Sequence, residues 1–145
     1  MEHDFVTYDQ SFYASTELQY WAERYLKVLP PHIDTLLCRG RSGTMIASAM
    51  VAISKRPLSF ILIRKVEEES HSCRDYGGNY CDNAKATIVD DFIDTGKTIN
   101  AIELWASKAG VVVDSIIVGH INDMYHKPMS NTPIITVGVR RYRYG

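Results

Sequence analysis

The stretch Ala86-Thr87-Ile88-Val89-Asp90-Asp91-Phe92-Ile93-Asp94-Thr95-Gly96-Lys97-Thr98 concentrates the groups in this chain best suited to chemistry. An apolar run of strand character leads into two adjacent carboxylates, and a tight turn then opens a helix. Asp90 and Asp91 can accept hydrogen bonds from sugar hydroxyls or stand near a metal ion. Backbone amides of Thr95, Gly96, Lys97 and Thr98, gathered at a helix start, attract phosphate. Vicinal hydroxyls and a phosphate on one molecule describe a phosphorylated ribose. A Walker A loop would need a glycine where Asp91 stands, and no Gly-x-Gly-x-x-Gly is present. The blander reading is a strand end capped by aspartates and followed by an ordinary turn.

A second loop, Cys38-Arg39-Gly40-Arg41-Ser42-Gly43, offers an anion two guanidinium groups, a hydroxyl and flexible backbone amides. Arginine holds phosphate oxygens through a bidentate fork that lysine lacks. Taken alone, the same residues also describe a solvated glycine-rich turn.

Alternating strands and helices are needed to bring these loops to one edge. Ser15 or Thr16 caps a first helix with Leu18, Trp21, Ala22, Tyr25 and Leu26 on one face, ended by Pro30-Pro31. Thr35 to Cys38 reads as a short buried strand. A helix carrying Ile46, Ala49, Met50 and Ile53 follows, closed by Lys55-Arg56-Pro57. Leu58 to Ile63 is nearly all apolar, as parallel strands covered on both faces are. Ala86 to Val89 is the strand before the aspartates, and Thr98 to Ala109 the helix after them, with Gly110 as its C-terminal cap. Val111 to Val118 and Ile134 to Val139 supply two more strands, the direction of the last being open. The pattern predicts an α/β fold: a doubly wound, mainly parallel five-stranded sheet with helices on both faces. In such a sheet, ligands bind outside the carboxyl ends of the strands.

Bulk properties set bounds. A chain of 145 residues suits a single domain spanning 1–145, with 46% hydrophobic and 23% charged residues. A net charge of −1 gives no general attraction to nucleic acid or anionic membrane. No apolar run approaches the ~20 residues of a membrane span, and Met1-Glu2-His3-Asp4 lacks the basic start of a signal peptide. Three cysteines leave one unpaired in any intrachain scheme, so reduced thiols and a cytoplasmic location are expected. The spacing of His71, Cys73 and Cys81 matches no familiar metal site.

The thirteen residues from Ala86 to Thr98 closely resemble the phosphoribosyl pyrophosphate (PRPP) motif of type I phosphoribosyltransferases. The resemblance implies that family's fold with a minimal hood over the base, drawn from the N-terminal segment, the C-terminal segment or both. It extends from Leu36 to Ala109 and is loose elsewhere. By it, Asp90 and Asp91 hold the ribose hydroxyls, Asp91 lies near Mg²⁺ or its water shell, and Thr95, Gly96, Lys97 and Thr98 cradle the 5-phosphate. Asp94 matches the acidic residue that lies by the purine imidazole nitrogen in 6-oxopurine enzymes, a candidate general base. Arg39 and Gly40 match the pyrophosphate loop, where the family has a cis peptide, here Cys38–Arg39. Arg64 and Lys65 match a basic pair entering a flexible catalytic loop, within a segment from Arg64 to Lys85 that is polar and carries Gly77-Gly78. In that loop Glu67-Glu68-Glu69 is odd company for pyrophosphate, and Ser70, Ser72, Arg74 and Tyr76 are alternative ligand contacts.

Departures accompany the match. The lysine that reads the exocyclic oxygen in 6-oxopurine enzymes is missing after the fifth strand. His120 or Lys127 could stand in, or His120 is a hydrogen-bonded strand-end residue. An aromatic to face the base would come from Tyr125 or the tail Arg140-Arg141-Tyr142-Arg143-Tyr144, which also reads as a solvated strand. The implied activity is transfer of the phosphoribosyl group from PRPP to a nitrogenous base, preferably a 6-oxopurine, with Mg²⁺. A PRPP-binding regulator and an orotate or uracil enzyme are the alternatives. A homodimer through Trp21 and Tyr25 is a further expectation from the family.

Overall fold

Runs of β-branched and aliphatic residues alternate with amphipathic segments, and the computed structural model turns them into a layered α/β fold. It describes residues 2–4, 15–65, 75–122, 131–138 and 141–143. In chain order the elements are β1 (Glu2–Asp4), α1 (Ser15–Val28), β2 (Thr35–Cys38), α2 (Gly40–Ile53), β3 (Ser59–Ile63) and β4 (Tyr76–Gly77). There follow β5 (Lys85–Val89), β6 (Phe92–Ile93), α3 (Lys97–Ala109), β7 (Val112–Val118), β8 (His120–Ile121), β9 (Ile134–Thr136) and β10 (Arg141–Arg143).

The main sheet has the order β4-β3-β2-β5-β7-β9. Its five longer strands are all parallel, including β9, whose direction the sequence leaves open. The sixth, β4, pairs antiparallel with the end of β3 and is an addition to the expected five. It lies in the segment read as a flexible loop. Three rings pin it: Tyr76, Tyr80 and Trp105 pack with centroids 5.3–5.6 Å apart. The part of that segment from 66 to 74, with Glu67-Glu68-Glu69, Ser70, His71, Ser72, Cys73 and Arg74, lies outside the described residues, as do Tyr125 and Lys127.

Two apolar layers cover the sheet, one on each face. Leu36, Cys38 and Val89 point to the side where α1 and α2 pack, through Trp21, Tyr25, Ile46 and Met50. Leu37, Ile61, Ile88 and Ile116 point to the other side, against Ile99, Ile102 and Trp105 of α3. Alternation along each strand thus feeds both layers, which is why these strands read as unbroken apolar runs. Trp21 and Tyr25 are buried at 1% and 0% exposure. The proposed dimer surface is therefore corrected: this stripe is spent on the core, because α1 lies against α2 and the sheet.

Outside the main sheet, β1 pairs antiparallel with β10, so segments near both ends of the chain contribute to one small ribbon. No helix among the described residues is long and apolar enough to cross a membrane.

The register of β5 on β7 carries a buried polar contact, Thr87 Oγ1 to Ser115 Oγ at 2.9 Å. Ser115→Ala strands the Thr87 hydroxyl in the core and is expected to cost about 1–3 kcal/mol in denaturant unfolding. Adding Thr87→Val removes both partners and is expected to recover most of that loss.

Candidate functional site

From β2 the chain crosses through α2 to β3 on one side of the sheet, then returns to place β5 on the other side of β2. The connections α2 and α3 lie on opposite faces, so β2 and β5 diverge at their carboxyl ends and leave a crevice there. Arg39 and Gly40 follow β2, Arg64 and Lys65 follow β3, and Asp90 and Asp91 follow β5.

The aspartates are held by main-chain bonds from three directions. Asp90 N–H donates to Ile117 O at 3.1 Å, and the Asp91 carbonyl accepts from Gly119 N–H at 2.9 Å and His120 N–H at 3.3 Å. The buried hydroxyl of Tyr25, on α1, donates to Asp90 O at 2.6 Å. Asp91 N–H donates to Asp90 Oδ1 at 2.9 Å. Gly43, in the first turn of α2, explains how the helix comes so close. A Cβ there would stand 3.1 Å from Val89 O and 3.3 Å from Asp90 Oδ1.

Both carboxyl groups are buried, and burial pushes their pKa values up. For Asp90 the shift is large: desolvation leads, followed by the neighbouring Asp91 charge, while Lys65 opposes it weakly. Desolvation also leads for Asp91, offset by hydrogen bonds from Asp90, its own backbone, Ser42 and Phe92. Of the two, Asp90 is pushed up more strongly, so burial and the neighbouring charge favour its protonated form. The sequence offered Ser42 as a hydroxyl for an anion and Tyr25 as part of an apolar face; the three-dimensional packing of α1 and α2 brings both to the aspartates.

Beyond the aspartates, Gly96 adopts φ +86° at the mouth of α3, a left-handed turn that suits glycine. Asp90, Asp94, Thr95, Gly96, Lys97 and Thr98 line a cavity of about 90 Å³ at that helix start. Lys97 N–H donates to Thr95 Oγ1 at 3.3 Å. Lys65 bridges to the other loop: its Nζ lies 3.5 Å from where a Cβ on Gly40 would be. Arg39 and Arg64 line a separate cleft of about 460 Å³ beside Tyr76, Trp105 and Lys108. Arg41 and Gly40 line a third hollow, with Thr44, Met45, Ser48 and Leu62. The Cys38–Arg39 bond is trans, which corrects the cis expectation; among the described residues no peptide is cis. The trans form avoids the ~3–4 kcal/mol that a non-proline cis bond costs.

The loops after β5 and β7 run side by side. β6 and β8 pair in parallel, Phe92 opposite His120 and Ile93 opposite Ile121, with Asn122 N–H donating to Ile93 O at 2.8 Å. Ile93 is buried. On the opposite side of this ribbon the Phe92 and His120 rings stack at 5.6 Å and 4°. Asn122 Nδ2 donates to Asp94 Oδ1 at 2.5 Å. His120 thus sits half-buried at a strand end, stacked on the Phe92 ring.

No family model and no curated protein sequence matches the chain. Solved structures do resemble it. Adenine phosphoribosyltransferase from Thermoanaerobacter pseudethanolicus superposes with a TM-score of 0.72 at 19% identity, over 88% of this chain and 83% of that one. Orotate phosphoribosyltransferase from Mycobacterium tuberculosis, in complex with PRPP, gives 0.68 at 11% identity, over 83% and 70%. Leishmania donovani UMP synthase gives 0.66 at 21%, over 85% of this chain and only 29% of that larger protein. The fold is that of the type I phosphoribosyltransferases.

The raised pKa of Asp90 has a sign. A carboxyl that holds its proton more tightly when folded stabilises the fold at low pH. That contribution is lost as pH rises from the ordinary 3.8 through the folded value. Asp90→Asn keeps the Oδ1 acceptor without the buried charge. It is expected to raise the melting temperature at pH 7 and to flatten the decline expected of the unaltered chain as pH rises above 3.8. A parallel decline in both proteins would refute this account.

Proposed function

We propose that this protein transfers the 5-phosphoribosyl group of PRPP to a nitrogenous base, a purine and preferably a 6-oxopurine, with release of pyrophosphate. One observation carries the reading: Asp90 and the residues at the start of α3, Thr95 to Thr98, line one cavity at the sheet's switch point, with Asp91 adjoining Asp90. That pairing matches a ribose bearing a 5-phosphate.

In this assignment Asp90 and Asp91 accept hydrogen bonds from the ribose hydroxyls, and Thr95, Gly96, Lys97 and Thr98 receive the 5-phosphate. Gly40 and Lys65 face the pyrophosphate, with Arg39 and Arg64 at its outer side. Two adjacent carboxylates are a donor set that Mg²⁺ accepts when phosphate oxygens and water complete its shell. Among the described residues no group of three His, Cys, Asp or Glu forms a protein cage for a metal. Asp91 is the residue to hold the ion, which when bound offsets the charge of the leaving pyrophosphate. The C1–oxygen bond breaks with its electron pair passing to pyrophosphate, and a base nitrogen bonds C1. The proton of that nitrogen passes to Asp94, the catalytic base. Positioning and electrostatics carry most of such a reaction.

The ribbon that bears Asp94 supports a heteroaromatic acceptor, since it presents stacked rings beside a carboxylate and an amide. Free thiols at Cys38 and Cys81 suit the cytoplasm. A homodimer, if formed, uses a surface other than Trp21 and Tyr25.

The test is pyrophosphate release from PRPP and Mg²⁺ with hypoxanthine, guanine, xanthine, adenine, orotate or uracil, against a no-base control. Release with a purine is expected. Asp91→Asn should weaken PRPP binding, and Asp94→Asn should mainly slow turnover. Release with orotate or uracil alone would overturn the purine assignment. Silence in a protein that PRPP still stabilises against heat would favour a regulator. No binding of PRPP at all would remove the whole reading.

A further inference from the structure

We infer that Asn122 is a positioning residue for Asp94, an inference that rests on the phosphoribosyl-transfer reading above. Asp94 stands on a bend after β6, exposed and outside the regular pairing. A carboxylate in such a place turns freely about its side-chain bonds unless something fixes it. The Asn122 amide, on the neighbouring loop 28 residues away, donates Nδ2–H to Asp94 Oδ1 at 2.5 Å. That bond sets the plane of the carboxylate and leaves the second oxygen, Oδ2, to accept an N–H from a ligand.

Attachment of the two loops is already secured without this side chain. Main-chain bonds run from Gly119 and His120 N–H to Asp91 O and from Asn122 N–H to Ile93 O. The Asn122 side chain therefore adds orientation rather than cohesion. It also keeps Oδ1 engaged as an acceptor, which holds Asp94 in the role of proton acceptor. The acceptor base that fits must present a ring N–H at this corner, beside the Phe92 and His120 rings.

The experiment is a double-mutant cycle on the full chain, with the base that the unaltered protein uses. Asn122→Asp is isosteric and removes the donor; Asn122→Ala removes it without adding charge. Each is expected to lower kcat about 10–100-fold, the scale of a misplaced catalytic group. The thermal shift given by PRPP and the melting temperature without ligand are expected to stay as in the parent, which shows that fold and phosphoribose site survive. In an Asp94→Asn background, Asn122→Ala should lower kcat no further. Additive losses, or undiminished kcat in either single variant, would overturn the inference while leaving the transfer reading intact. An unaltered protein that binds PRPP but turns over no base would sink the transfer reading, and this assignment with it.

Discussion

Two carboxyl groups side by side at the end of a buried strand repel each other and lose hydration, so the surroundings must hold them in place. In this fold nearly every layer contributes. The Tyr25 hydroxyl, the Ile117 carbonyl of β7 and the amides of Gly119 and His120 grip the backbone, Ser42 reaches Asp91, and Gly43 admits α2 close enough to touch Asp90. Burial and mutual repulsion push the Asp90 pKa up and so favour its protonated form, which eases the repulsion between the two groups. A ligand with hydroxyl donors and an accompanying divalent ion would relieve the same repulsion, which ties binding energy to a tension already present in the free protein.

The site divides between rigid and less rigid parts. The aspartates and the β6–β8 ribbon are joined by main-chain bonds to and beyond the end of β7. The arginines belong to a different setting, a cleft between α3 and the aromatic cluster around β4. On the proposed reading, the groups assigned to the sugar and its phosphate follow β5, whereas those assigned to the leaving group follow β2 and β3.

Much of this was legible in the sequence because it is local. Strands β2, β3, β5 and β7 announce themselves as apolar runs within a residue or so of their observed ends, and the residues around Asp90 are contiguous. What escaped was made by distant parts. β4 has two residues in a polar stretch, and its place depends on Trp105, far along the chain. Asn122 meets Asp94 only because two short strands pair in one register. The stripe of Trp21 and Tyr25 was read with the right period, yet periodicity shows that a face is apolar and not what will cover it. Here α2 and the sheet cover it.

The ribbon of β6 and β8 also bears on how such a protein can change over generations. Its bonds join peptide groups, which every residue except proline provides, so exchange of the side chains at 92, 120 and 122 leaves the scaffold standing. The turns around Asp90 and at the start of α3 have no such latitude, since Gly43 and Gly96 are fixed by contact and by backbone angle. On the proposed reading, innovation in what the protein accepts is channelled to one small surface, while the half assigned to the donor is held constant.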